Sequence, residues 1–162
     1  MNDLVQATLK SQDKIREAIE EAKLAYKLDN RPWILGYSGG KDSTATLQLV
    51  WQALLETPDK NRTKPIYVIS SDTLVETPII KKYLYENHEK INQEAKKQGL
   101  PITAEILTPI INETFWVNLI GRGYPAPNQR FRWCTNRLKL KTRPRFIQSK
   151  LSKNGEVVIV LG

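Results

Sequence analysis

Apolar and polar positions along this chain follow two different periods, and the changes of period mark its elements. Between residues 3 and 28, Ile15, Ala18, Ile19, Ala22 and Tyr26 recur at helical spacing with charges between them, predicting an amphipathic helix that Pro32 ends. The apolar run Trp33–Tyr37 reads as a strand, and a helix is expected from about Ser43 to Leu55, closed by the polar turn Thr57-Pro58-Asp59-Lys60-Asn61. Ile66–Ser70 is a second strand, residues 71–77 a loop, and the next stretch a mostly polar helix with Pro78 in its first turn and Gly99 after its end. A third strand is expected at about Ile102–Leu107, and a short helix from Glu113 to Gly121. Gly121-Arg122-Gly123-Tyr124-Pro125-Ala126-Pro127 breaks regular structure. Thr142 is placed to cap a last helix that carries Pro144 in its first turn and runs to about Ser152. Asn154-Gly155 then turns the chain into Val157–Leu161, a continuous apolar run typical of a strand buried on both faces.

Strands alternating with helices predict an α/β fold, a doubly wound and mostly parallel sheet with helices on both faces, whose ligands bind at the carboxyl ends of the strands. At 162 residues and 40% hydrophobic content the chain suits one domain with one sizeable core. Neither a repeat nor a low-complexity tract interrupts it.

Composition adds three constraints. No run of about 18 apolar residues occurs and the opening Met1-Asn2-Asp3 is polar, so a cytoplasmic protein with no membrane partner is expected. One cysteine, Cys134, excludes an internal disulfide and leaves a thiol, thiolate or metal-ligand role open. The net charge is +8, and it is concentrated: Arg130, Arg132, Arg137, Lys139, Lys141, Arg143 and Arg145 follow one another with no acid between, whereas residues 1 to 31 carry six basic and six acidic side chains. Arginines interleaved with Phe131 and Trp133 suit phosphates and stacked bases, with a solvated helix face as the plainer reading of Arg143 and Arg145.

The chemistry centres on Ser38-Gly39-Gly40-Lys41-Asp42-Ser43, between the first strand and the following helix. Two glycines let the backbone bend and turn its N–H groups toward an anion, and the helix N-terminus adds partial positive charge. A Walker A loop fails at two places, because Leu35 stands where its first glycine belongs and Asp42 follows Lys41. Gly36-Tyr37-Ser38-Gly39-Gly40 also fits the nucleophile elbow of hydrolases, but the one histidine, His88, falls within a polar helix and reads as a solvated position. A glycine turn with capping residues is the plain alternative.

All fixed positions of S-G-G-x-D-[ST], the pyrophosphate loop of the N-type ATP pyrophosphatase (PP-loop) superfamily, are matched by Ser38 to Ser43. The chain resembles that superfamily, whose members split ATP between the α- and β-phosphates or bind adenylyl sulfate nucleotides. The resemblance implies an adenine nucleotide alpha hydrolase-like fold with Ser38, Gly39, Gly40, Lys41, Asp42 and Ser43 on the pyrophosphate. Of the two expected to act in catalysis, Lys41 neutralises charge if it points inward, and the Asp42 carboxylate is repelled by polyphosphate unless it binds the loop's backbone amides or a Mg²⁺ shared with the nucleotide. In the same family the position after the second strand meets the nucleoside, which implies Asp72 and Thr73.

Arg130-Phe131-Arg132-Trp133-Cys134-Thr135-Asn136-Arg137-Leu138-Lys139, preceded by Gly123-Tyr124-Pro125-Ala126-Pro127, is similar to the DndC-like sulfurtransferases of bacterial DNA phosphorothioation, within the phosphoadenosine phosphosulfate reductase-like branch. The resemblance runs from about Trp33 to Gly162. It implies ATP and Mg²⁺, DNA as substrate, a cysteine desulfurase as sulfur donor, other phosphorothioation proteins as partners, and a [4Fe–4S] cluster with Cys134 as one ligand. In such a reaction Arg130 and Arg132 are expected as catalytic residues that hold the acceptor or the α-phosphate. Since a cluster takes four thiolates, its other ligands are expected beyond Gly162, as is a continuation of the domain. Two alternatives stand beside this reading, a sulfonucleotide reductase-like enzyme and a non-catalytic nucleotide-gated DNA-binding module.

Overall fold

The computed structural model describes residues 2–135, 138, 142–150 and 155–162. Asn136, Arg137, Lys139 and Lys141 of the basic segment, and the expected end of the last helix at Ser152 and turn at Asn154, lie outside the described residues, as do the side chains of Thr142 and Arg143.

Four strands, β1 (Trp33–Gly36), β2 (Ile66–Ser71), β3 (Ile102–Leu107) and β4 (Val158–Val160), form one all-parallel sheet in the order β3-β2-β1-β4. Proline marks where three of them begin. A proline has no N–H to pair, so it stands at a strand's start and still lends its carbonyl. Thus Trp33 donates to Pro65 (3.0 Å), Ile66 to Pro101 (2.8 Å) and Val158 to Pro32 (2.9 Å), which locks the neighbouring strands in register.

Helices α1 (Asn2–Lys27), α2 (Lys41–Leu55) and α3 (Pro78–Lys97) share one face of the sheet. There Tyr26, Leu47, Val50, Leu54 and Ala95 pack with Trp33, Leu35, Ile66, Val68, Ile102 and Ala104. On the other face, Phe146 and Ile147 of α4 (Thr142–Lys150) pack with Ile34, Tyr67 and Ile69. The placement follows from handedness. Right-handed crossovers running β1 to β2 to β3 put their helices on one face, and the reversal that carries the chain back beside β1 puts the next helix on the other. The sheet therefore reverses its winding between β1 and β4.

Several expectations need correction. The first helix ends at Lys27, ahead of Pro32, because the Asp29 carboxylate takes the Arg31 backbone N–H (2.9 Å) and its Nε (2.7 Å) and makes the turn itself. Ile15 is exposed rather than packed, while Ile19 and Tyr26 carry that helix's buried stripe. Gly40 caps α2, which begins at Lys41. Instead of one helix at 113–121, a 3-10 turn (Ile111–Glu113) is followed by a π-helical turn (Val117–Gly121). The last strand is not buried on both faces: among the described residues β4 pairs with β1 alone, Val158 and Val160 pack on the core, and Ile159 is 55% exposed.

Lys64 is a buried cation that the sequence does not single out. Its Nζ lies 3.1 Å from Asp29 Oδ1 and about 5 Å above the rings of Tyr26 and Trp33, so a carboxylate and two aromatic faces replace its lost water. Burial pushes its pKa down, against the pull of Asp29. Among the described residues no helix is long and apolar enough to cross a membrane.

Candidate functional site

The loop after β1 emerges where the sheet's winding reverses, the place where open α/β sheets leave a crevice. Tyr37 extends the ladder by one bond to Ile69 (2.8 Å), and its carbonyl accepts the Ser70 hydroxyl. The chain then folds back on itself. Ser38 N–H donates to Ser43 Oγ (3.2 Å), the two serine hydroxyls are 3.0 Å apart, and Ser43 Oγ reaches the Gly40 carbonyl (3.1 Å). Gly39 makes this bend at φ +74°, and a Cβ there would stand 3.0 Å from the Tyr83 ring. Only glycine meets both conditions without strain.

The serines thus spend their hydroxyls on the loop's own shape. What the loop offers a ligand is mostly backbone: α2 has no side chain capping its N-terminus, so the amides of its first turn stay open to an anion. Lys41 and Asp42 stand at the rim, 90% and 68% exposed, with Nζ 2.9 Å from Oδ1. They form an ion pair in solvent that can be exchanged for contacts with a polyanion and its cation.

Gly36, Tyr37, Ser38 and Ser43 line one side of a cleft of about 360 Å³, Leu161 and Gly162 close it from β4, and Ser70, Ser71, Glu76, Ile80, Tyr83 and Leu84 form the opposite wall. The sequence does not single out Glu76, Ile80, Tyr83 and Leu84 as lining residues. A position just past β2 together with Ile80, Tyr83 and Leu84 along one edge of α3 was the available signal.

Asp72 and Thr73 do not meet the cleft as expected. Asp72 is fully buried: its Oδ1 accepts the Leu74 N–H (2.8 Å), its Oδ2 accepts the Tyr85 hydroxyl (3.1 Å), and Lys81 Nζ lies 3.8 Å away. Thr73, also buried, donates its hydroxyl to Glu76 Oε1 (2.9 Å). These side chains shape the loop after β2, including Leu74 at φ +64°, and so aim Glu76 at the cleft. Tyr85 is held protonated to higher pH by burial and by Asp72.

His88 is likewise not solvated. It is buried on α3, edge-on to Tyr37 with ring centroids 5.8 Å apart, so it braces the end of β1 from beneath. It has no access to the cleft as a base.

The basic segment holds the remaining candidates. Arg130 and Arg132 are exposed and do not line the cleft. Trp133 is buried, contrary to a base-stacking role: its indole N–H donates to Pro125 O (2.9 Å), Phe115 stacks on it at 5.4 Å, and Tyr124 meets it edge-on. Cys134 is a free, half-buried thiol. Among the described residues no three His, Cys, Asp or Glu side chains cluster to hold a metal. An iron–sulfur cluster needs four thiolates and the sequence contains one, so the residues present do not fit that group. Asp42, with its exposed carboxylate, does fit a Mg²⁺ shared with phosphates.

Comparison with known proteins adds little about chemistry. No protein-family profile matches the chain, and no solved structure does. The chain is similar to the uncharacterized protein MJ0066 of Methanocaldococcus jannaschii, at 29% identity over 133 residues. The match covers 82% of this chain but 23% of that protein, so the chain spans less than a quarter of its relative's length.

Proposed function

We propose that this chain is the nucleotide-binding part of an ATP pyrophosphatase-type sulfurtransferase, with an adenine nucleotide alpha hydrolase-like fold, which activates a DNA phosphate for replacement of oxygen by sulfur in the cytoplasm. The observation that carries the reading is the self-bonded Ser38–Ser43 loop, which leaves the first turn of α2 uncapped at a cleft walled by the ends of β1, β2 and β4 and by α3.

In this reading the open amides of the loop and of α2 bind the β- and γ-phosphates of ATP, and Lys41 turns from Asp42 to the leaving pyrophosphate. Asp42 would hold a Mg²⁺, whose charge favours departure of pyrophosphate. A non-bridging oxygen of the DNA phosphate attacks the α-phosphorus, and the bond to the β-phosphate oxygen breaks. Donors already fixed in place stabilise the charge that develops there. The terminal sulfur of a persulfide, supplied by a cysteine desulfurase, then attacks the DNA phosphorus and expels AMP, which carries away the original DNA oxygen; a second thiol attacks the inner sulfur of the resulting P–S–S linkage, forming a disulfide and leaving the outer sulfur on phosphorus. Arg130 and Arg132, outside the cleft, serve the DNA rather than the nucleotide.

The test is to incubate the full-length protein with α-labelled ATP, Mg²⁺ and DNA and resolve the products. AMP with pyrophosphate is expected. ADP with phosphate would overturn the reading, and binding without turnover would favour a nucleotide-gated module. Asp42→Ala should abolish pyrophosphate release while leaving the far-ultraviolet circular dichroism unchanged. Unchanged release would remove Asp42 from the mechanism.

A further inference from the structure

From residue 114 to residue 155 the sequence contains no aspartate or glutamate, while ten arginines and lysines fall in that span. The burial of Trp133 within it has a consequence for the surface. By stacking on Phe115 and bonding to Pro125, Trp133 folds residues 124–133 back against the segment that carries Trp116. Phe115 meets Trp116 at right angles with centroids 5.1 Å apart, which holds the Trp116 indole outward. Arg122 is tied to the same segment by Nη1 to Asn118 Oδ1 (3.1 Å), and Tyr124 N–H reaches the Asn118 carbonyl (3.1 Å). Just before the buried Trp133, the tight turn at Asn128, whose side chain accepts the N–H groups of Arg130 and Phe131 (both 2.9 Å), presents Phe131.

The two segments that the Phe115–Trp133 stack joins thus expose Trp116 (56%) and Phe131 (45%), and Arg122, Arg130 and Arg132 on the same segments are exposed too. Flat rings accompanied by cations match the chemistry of nucleic acid whose bases are unpaired: rings stack on bases and guanidinium groups follow the phosphates, and the nearest carboxylate in sequence, Glu113, precedes the acid-free span. Paired bases in a duplex hide their faces and would leave the rings unused.

We propose that Trp116 and Phe131, framed by Arg122, Arg130 and Arg132, form a stacking platform for unpaired bases of DNA, separate from the nucleotide cleft. The platform rests on the reading of DNA as acceptor only for its choice of DNA over RNA. Its role is to grip the strand beside the phosphate that reacts.

The experiment measures anisotropy of labelled oligodeoxythymidylate, a duplex of equal length, oligouridylate and anionic phospholipid vesicles, each with wild-type protein and with Trp116→Ala, Trp116→Phe, and Arg130→Gln combined with Arg132→Gln. Single-stranded DNA should bind more tightly than duplex. Trp116→Ala should weaken it roughly tenfold or more, and Trp116→Phe should restore most of the loss. The double arginine variant should flatten the salt slope by about 1.4, at about 0.7 per phosphate contact. The far-ultraviolet circular dichroism and the urea unfolding midpoint of Trp116→Ala should match wild type, which shows that the variant is folded. Equal binding of single strand and duplex with no effect of Trp116→Ala overturns the platform, as does tighter binding of oligouridylate or a Trp116 dependence seen with vesicles alone. Loss of α–β cleavage in the labelled-ATP experiment would leave these outcomes untouched, so the two readings fail separately.

Discussion

His88 donates from Nδ1 to the Leu84 carbonyl at 2.9 Å, because a carbonyl can only accept, and this leaves Nε2 as a buried acceptor with no partner among the described residues. Burial pushes its pKa below the ordinary 6.5. The folded protein therefore keeps His88 neutral while the unfolded chain takes up a proton below about 6.5, so stability is full above that pH and falls as the pH drops beneath it. Melting temperatures at pH 7, 6 and 5 should decline for the wild type and decline less for His88→Leu; parallel curves would show that His88 carries no part of the dependence. Asp29, held down to about 2 by the Arg31 side chain and backbone and by Lys64, acts in a separate window, losing its contribution as pH falls from about 4 toward 2. The position of His88 was legible, although it was read as solvated: Leu84, His88, Ile91 and Ala95 share one helical stripe, and three of the four are apolar. Asp72 was harder to read, because a carboxylate after a strand points as readily into its own loop as into a cleft, and only the Leu74 and Tyr85 partners decide.

Elements whose signals are local were read well. The glycine bend at Ser38–Ser43, α3 with Pro78 in its first turn, and the strands β1 to β3 depend on turns and periods spanning a few residues. The segment from Thr114 to Thr135 has no period, so nothing in it separated an inward tryptophan from an outward one; Trp133 faces in and Trp116 faces out. Trp133→Ala removes the ring that joins Phe115, Tyr124 and Pro125, and should cost about 3 kcal/mol. Urea unfolding measures that loss; a change under 1 kcal/mol would mean that the segment is held by other contacts. The apolar run at β4 shows a limit of the same kind, since run length cannot tell a central strand from one paired on a single side.

At the scale of the whole molecule, charge and topology separate two regions. The acid-free span from 114 to 155 carries the positive excess, whereas the cleft is lined mostly by backbone, hydroxyl and apolar groups with Glu76 as its carboxylate. The strand order adds a consequence in time. Neighbours β1, β2 and β3 are joined by single crossover helices, so their pairings close comparatively short loops, whereas pairing Trp33 with Val158 must wait for nearly the whole intervening chain to be brought back. The wall formed by Leu161 and Gly162 arrives with that last pairing. In refolding, burial of the tryptophan at position 33, followed with Trp51, Trp116 and Trp133 replaced by phenylalanine, should precede the recovery of binding to a fluorescent ATP analogue. Simultaneous recovery would mean that the edge strand docks in the same step as the core. Leu161 and Gly162 reach the cleft from the far end of the sequence, so a ribosome-bound chain halted before β4 would hold a folded Ser38–Ser43 loop whose cleft lacks that side.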